Sequence, residues 1–164
     1  MRFWILVFIA MLVTGCGYKP SSKIAESVLG NLIYVEVTIN VEDPKNSVLI
    51  KDALKEVFIS RLGRNIVPIE DAETKVYASL GSVSFPAIMH KDGFSVAYRA
   101  NVTLNIKTVY SSGKQEHIST TGSYDFFVKT NNVITDTERF DAIKSASFDA
   151  LDEYVATLSM RGLQ

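Results

Sequence analysis

The sequence of 164 residues is poor in cysteine and histidine, and these scarcities exclude several classes of protein. One cysteine cannot form an intramolecular disulfide, so a disulfide-stabilised secreted scaffold is excluded. His90 lies beside a turn and His117 at a strand start, which does not predict a pair of metal ligands. Motifs of serine hydrolases, zinc proteases, phosphate-binding loops and dinucleotide folds are also absent. The sequence therefore predicts a non-enzyme without a metal site.

The chain also has no large excess of either positive or negative charge. The chain has 17 Lys and Arg against 18 Asp and Glu, a formal net charge of −1. Nucleic-acid-binding domains carry a strong positive field, which this composition does not provide. We therefore expect no nucleic-acid partner, and any electrostatic partner has to bind a local patch.

The longest apolar run, Phe3 to Val13, is short. About 11 helical residues extend over roughly 17 Å, well below the ~30 Å of a hydrocarbon core, so the run does not predict a spanning helix. With Arg2 before it and Thr14-Gly15 after it, the run has the layout of a secretory signal. Val13-Thr14-Gly15-Cys16 resembles the bacterial lipobox, which implies cleavage before Cys16 and its acylation. The alternative is a buried free cysteine.

This interpretation divides the chain into a lipoprotein signal peptide (1–15), a lipidated tether (16–31) and a single α+β domain (32–164). The mature part has one domain's worth of residues. We expect no cofactor besides the covalent lipid on Cys16, and no transmembrane segment in the mature chain.

The order of predicted elements is β-α-β-β-β-α. Strict alternation predicts a half-buried strand over Leu32 to Val41, and Ser47 and Gly63 frame a helix up to Leu62 with an apolar stripe. The stripe comprises Ile50, Ala53, Leu54, Val57, Phe58 and Leu62. Three further strands follow, with a bulge at Gly81-Ser82 and turns at Asp92-Gly93 and Ser111–Lys114.

The last helix is predicted from a capping box at Thr135 and Glu138 to just before Gly162. Its stripe comprises Phe140, Ile143, Ala146, Ser147, Ala150, Leu151, Tyr154, Val155 and Leu158. The fold class predicted is α+β, with two helices packed on one face of a four-stranded, mostly antiparallel sheet. The neighbour of the first strand stays open, and the sheet can be mixed.

The opposite face of this sheet is predicted to be polar. On the longest strand it presents Arg99, Asn101, Thr103 and Lys107, alternating with apolar residues. A surface of Thr, Asn and Ser suits a wet, walled space such as the lumen of a large outer-membrane barrel. A plainly solvated sheet face explains the same pattern. These four residues are our candidates for a partner-facing surface.

Several fragments resemble the LptE family of lipopolysaccharide-assembly lipoproteins. They are the lipobox followed by Gly17-Tyr18, then Leu80–Ser84, Lys91-Asp92-Gly93 with Tyr98 beyond it, and Phe126-Phe127 before the last helix. Their order and spacing agree from Leu80 to about Tyr154, whereas the first strand and helix match only in pattern. The chain thus resembles a divergent member of the family.

The resemblance implies an outer-membrane lipoprotein that acts as plug and assembly factor of the LptD barrel and contacts lipopolysaccharide. A basic residue that the family uses for this contact corresponds to Lys91. A second corresponds to Asp136, although Lys129 and Arg139 lie close enough in sequence to supply charge. Two alternatives stay open: a periplasmic auxiliary lipoprotein of an ABC-type lipid transporter, and a small-molecule-binding or hydrolytic lipoprotein.

Overall fold

The computed structural model describes residues 29–38, 48, 51, 55–56, 59, 65–128 and 133–161. Its strands are β1 (Leu32–Thr38), β2 (Asn65–Ile66), β3 (Thr74–Ser84), β4 (Ala87–Lys91), β5 (Phe94–Tyr110) and β6 (Gln115–Phe127). The helix Asp136–Arg161 is called the C-terminal helix. The α+β class is confirmed. The residues that the structure describes form six strands, where four were predicted, and the C-terminal helix is the one helix whose bounds lie within them.

Both additional strands have identifiable causes. β2 has only two residues, too few for an alternating pattern. β4 lies between the predicted bulge and the predicted Asp92-Gly93 turn, and Phe85-Pro86 separates it from β3 because proline has no amide hydrogen to donate. The register nevertheless continues across the break, since Ser84 pairs with Asn101 and Ala87 with Tyr98. β3 and β4 therefore line the same edge of β5.

The sheet is mixed. β1 runs parallel to β2 on one side and to β3 on the other, while β3, β4 and β6 are all antiparallel to β5. The predicted bulge is confirmed by the register shift between Leu80 and Ser82. In the turn after β4, Asp92 (φ 51°) and Gly93 (φ 82°) both have positive φ, which confirms the two-residue hairpin. Gly113 (φ 80°) closes the second turn.

The first predicted helix lies largely outside the described residues, and so does its whole apolar stripe. Val48, Lys51, Lys55, Glu56 and Ile59 are helical. Glu56 forms an ion pair with Lys144 of the C-terminal helix, with 2.9 Å between Oε2 and Nζ. Residues 39–41 of the predicted first strand are also outside the described ranges.

The C-terminal helix begins with the predicted capping box. The Glu138 amide donates to Thr135 Oγ1 at 3.2 Å, and the Thr135 amide donates to Glu138 Oε2 at 3.0 Å. The predicted stripe is buried except for Phe140, which is half-buried at the start of the helix. A Cβ on Gly122 would overlap the backbone of Ala146 and Ala150. The absence of a side chain at Gly122 therefore lets the helix backbone approach β6 directly.

The core lies between this helix and the apolar face of the sheet. Ile33, Val76, Val102, Leu104 and Leu151 are among its buried members. Leu29, which the sequence assigns to the tether, is also fully buried. Tyr124 shares its side of β6 with the buried Phe126 but is itself 44% exposed, since it lies on the edge strand beyond the helix contact at Gly122.

Polar contacts also join the helix to the edge strand β6. The Thr121 amide donates to Glu153 Oε2 at 3.0 Å, and the Ser123 amide donates to Asp149 Oδ2 at 2.9 Å. Deeper in, the hydroxyls of Thr108 and Tyr154 are 2.7 Å apart and buried. Burial raises the pKa of the Tyr154 phenol, which therefore stays protonated.

Candidate functional site

The sheet face away from the C-terminal helix is called the polar face. The side chains of Arg99, Asn101, Thr103 and Lys107 share this face, because each alternates along β5 with a buried residue. Their cross-strand neighbours on β6 are Asp125, Ser123, Thr121 and His117. Those on β3 are Ser84, Ser82 and Tyr77. Short polar side chains thus cover most of this face.

Two of the four candidates are held by contacts within the face. Arg99 binds Asp125 through both ends of its guanidinium, with Nε–Oδ1 at 2.6 Å and Nη2–Oδ2 at 2.8 Å. This hydrogen-bonded pairing lowers the pKa of Asp125 and raises that of Arg99. The hydroxyls of Thr103 and Thr121 are 3.0 Å apart. Arg99 is therefore neutralised locally, and the middle of the face carries little net charge.

A concave depression of about 480 Å³ lies at the end of the polar face near Lys107. Its lining includes polar residues from four strands: Thr38, Tyr77, Ser79, Asn105, Lys107, His117 and Ser119. No carboxylate belongs to the lining. Lys107 is thus the member of the predicted set that lines this depression.

Lys91 lies at the tip of the β4–β5 hairpin, where it pairs with Phe94 across the Asp92-Gly93 turn and is exposed. The same hairpin carries exposed apolar side chains: Ile88 is 44%, Met89 49% and Phe94 60% exposed. A lysine among exposed apolar side chains can contact an anionic group and hydrocarbon together.

Arg139 lies in the first turns of the C-terminal helix, with its guanidinium carbon 5.1 Å from the centre of the Phe85 ring. Phe85 precedes β4, so Arg139 is at the base of the hairpin and Lys91 at its tip, roughly 20 Å away along an extended strand. Lys129 and Cys16 lie outside the described residues. The structure therefore does not bring the three predicted lipopolysaccharide-contacting cations together in one place.

Sequence reasoning missed the apolar end of the polar face. Met89 pairs with Ala97, and Ala97 pairs with Phe127, which is 66% exposed. These residues form one cross-strand row beyond Arg99 and Asp125. The available signal was the alternation of β6, which places Phe127 on the same face as Asp125.

Over the ranges that the structure describes, no group of three or more His, Cys, Asp or Glu residues is arranged to hold a metal ion. No helix within those ranges is long and apolar enough to cross a membrane.

Comparisons with known proteins add information at the level of fold. No protein-family model matches the chain, and no curated protein matches it in sequence. Solved structures do match. A protein from Caulobacter crescentus CB15, described as a candidate lipoprotein, is similar with a TM-score of 0.54 and 12% identity, covering 87% of this chain and 96% of its own.

The fold is thus one that bacterial lipoproteins of known structure adopt. A particular instance is rare lipoprotein B from Shewanella oneidensis, with a TM-score of 0.51, 9% identity and coverage of 81% of this chain and 97% of its own. This is the LptE-like fold. At these identities the similarity establishes the fold alone.

Proposed function

We propose that this protein is a lipoprotein of the outer membrane, anchored through Cys16, which acts as a non-catalytic plug and assembly factor of an LptD-like barrel in lipopolysaccharide transport. The observation that carries the proposal is the LptE-like fold in a chain that begins with a lipobox pattern. Many proteins have a lipobox or this fold alone. The two features together are those of a lipid-anchored protein with an LptE-like domain.

The dimensions of the sheet support a plug. At about 3.3 Å per residue the 17 residues of β5 extend over roughly 53 Å, which exceeds the ~40–45 Å of a bilayer with its headgroups. The interior of a large barrel is polar. The polar face offers hydroxyls, amides and an internally neutralised Arg99–Asp125 pair, so its transfer into such a lumen leaves no unpaired charge in the middle of the sheet.

The position at which the tether joins the sheet favours one orientation of the domain in the barrel lumen. Ile33, near the start of β1, pairs with Thr74, and Thr74 pairs with Tyr110 at the end of β5. The chain from Cys16 therefore enters the sheet at the end opposite the β4–β5 hairpin. An anchor in the periplasmic leaflet then directs the hairpin tip into the lumen, away from the periplasm.

We expect the residues of that hairpin tip to contact lipopolysaccharide. Lipid A combines phosphate groups with acyl chains. Lys91 supplies a point charge for phosphate, and Ile88, Met89 and Phe94 supply apolar surface for the chains.

Copurification tests the proposal. Native protein extracted from membranes in mild detergent should bring an outer-membrane barrel with it, and Cys16→Ala protein should be recovered unlipidated with less barrel. Recovery with inner-membrane ABC transporter components instead would favour the role of a periplasmic auxiliary lipoprotein and contradict the plug.

A further inference from the structure

We propose that the depression at the Lys107 end of the polar face binds a phosphate monoester or a similar dianion, with Lys107 as its cationic group and His117 as a hydrogen-bond donor. The inference concerns the isolated domain and does not rest on the barrel role.

The sheet register places Lys107 and His117 side by side. Tyr77, Lys107 and His117 are consecutive partners across β3, β5 and β6, and the next row contains Ser79, Asn105 and Ser119. Side chains directly opposite each other on neighbouring strands have Cβ atoms about 4.5–5.5 Å apart. An oxyanion above this row can therefore contact the side chains of both Lys107 and His117.

The charges around the depression favour an anion. Lys107 has no ion-pair partner among the described residues, in contrast to Arg99 with Asp125 and Lys114 with Glu116. The titratable groups facing His117 on this row are Lys107, the Tyr77 phenol and, one strand further, Glu36. Glu36 is two strands from Lys107, about 10 Å, and already accepts a hydrogen bond from the Tyr34 hydroxyl at 3.2 Å.

The hydrogen-bonding inventory matches a tetrahedral oxyanion. Lys107 offers three N–H donors, His117 one or two, and the Asn105 amide, the Ser119 hydroxyl and the Tyr77 hydroxyl can add further donors. The Ser79 hydroxyl is engaged with the Asn105 carbonyl at 3.3 Å. Bonds from cations to phosphate oxygens are stronger than neutral ones. A volume of about 480 Å³ also leaves room for the group esterified to the phosphate.

The test uses the full lipidated protein in neutral detergent. Titration with inorganic sulfate at constant pH is followed by the imidazole NMR signals of His117. We expect saturable shifts of His117 in the wild type, at least a tenfold loss of affinity in Lys107→Gln, and near-wild-type affinity in the matched control Lys75→Gln. Lys75 lies on the same face, paired with Val109, outside the depression.

Absence of saturable sulfate-dependent shifts in the wild type, or an equal loss of affinity in Lys75→Gln and Lys107→Gln, would overturn the site.

Competition experiments distinguish the possible sources of the ligand. Displacement of sulfate by phosphatidic acid in phosphatidylcholine vesicles, but not by phosphatidylcholine alone, identifies a lipid headgroup. Displacement by glycerol phosphate alone identifies a soluble phosphate monoester.

Discussion

At the residue scale, Gly122 determines how closely the C-terminal helix approaches the sheet. A methyl group there would overlap backbone atoms of Ala146 and Ala150, which cannot rotate away as a side chain can. Overpacking a core typically costs about 1–3 kcal/mol. Gly122→Ala should therefore lower the free energy of unfolding by at least about 2 kcal/mol in urea denaturation. Ser123→Ala, an exposed neighbour, should stay within about 0.5 kcal/mol, and equal stability of both variants would contradict this packing.

Lys91 is the residue whose charge the proposed lipopolysaccharide contact requires. Lys91→Glu should weaken binding of lipopolysaccharide to the purified protein, Lys91→Gln should weaken it less, and both should keep the thermal midpoint because the side chain is exposed. The attraction should fade as salt rises to ~0.5 M, where screening acts over a few Å. Equal binding by all three proteins in low salt would remove Lys91 from the contact.

Glu116 links the β5–β6 turn to the acid stability of the protein. The Lys114 ammonium at 2.9 Å, and secondarily the Tyr110 hydroxyl at 2.9 Å, lower the pKa of Glu116 despite its partial burial. A lowered folded-state pKa gives stabilisation that is complete above the ordinary value of about 4.3 and is lost as pH falls through the lowered value. Glu116→Gln should therefore show a smaller drop in urea midpoint between pH 6 and pH 3 than wild type. An unchanged drop would contradict the linkage.

At the element scale, β6 is an edge strand whose free amides are occupied by carboxylates of the C-terminal helix. Uncapped edge amides can pair with another chain. Asp149→Ala with Glu153→Ala should therefore increase concentration-dependent association in light scattering while the circular dichroism spectrum is kept. The control Asp149→Asn with Glu153→Gln retains carbonyl oxygens that accept the same bonds and should associate less. Monomeric behaviour of the alanine variant would show that the capping has no protective role.

The elements that were predicted correctly depend on local signals. Thr135 with Glu138, Asp92-Gly93 and the alternation of β5 each specify a structure within a few residues. The position of β1 between two parallel partners could not be predicted, because it depends on pairing with Thr74–Ser79, some forty residues away. β2 is too short to leave a pattern, and the effect of Pro86 depends on how β5 continues past it.

At the scale of the whole molecule, local signals predicted one part of the candidate site, and the rest depends on contacts between distant segments. Alternation alone placed Arg99, Asn101, Thr103 and Lys107 on one face. The pairing of Arg99 with Asp125, the depression beside Lys107 and the apolar row of Met89, Ala97 and Phe127 depend on cross-strand register and sheet curvature. Local alternation places Phe127 on the same face as Asp125, but no local pattern specifies which residues of other strands lie beside it.

The central claim is that the sheet lies lengthwise in a barrel lumen with its hairpin tip directed inward. Photocrosslinking amino acids at Asn101 and Ser112 test it most directly in cells. Asn101 is in the middle of the polar face, whereas Ser112 lies in the turn at the tether end, roughly 30 Å further along β5.

The account predicts a strong adduct between Asn101 and an outer-membrane barrel and a weak one from Ser112, with both variants at wild-type abundance. No barrel adduct from Asn101 would contradict the plug, and an adduct from Ser112 alone would contradict its orientation.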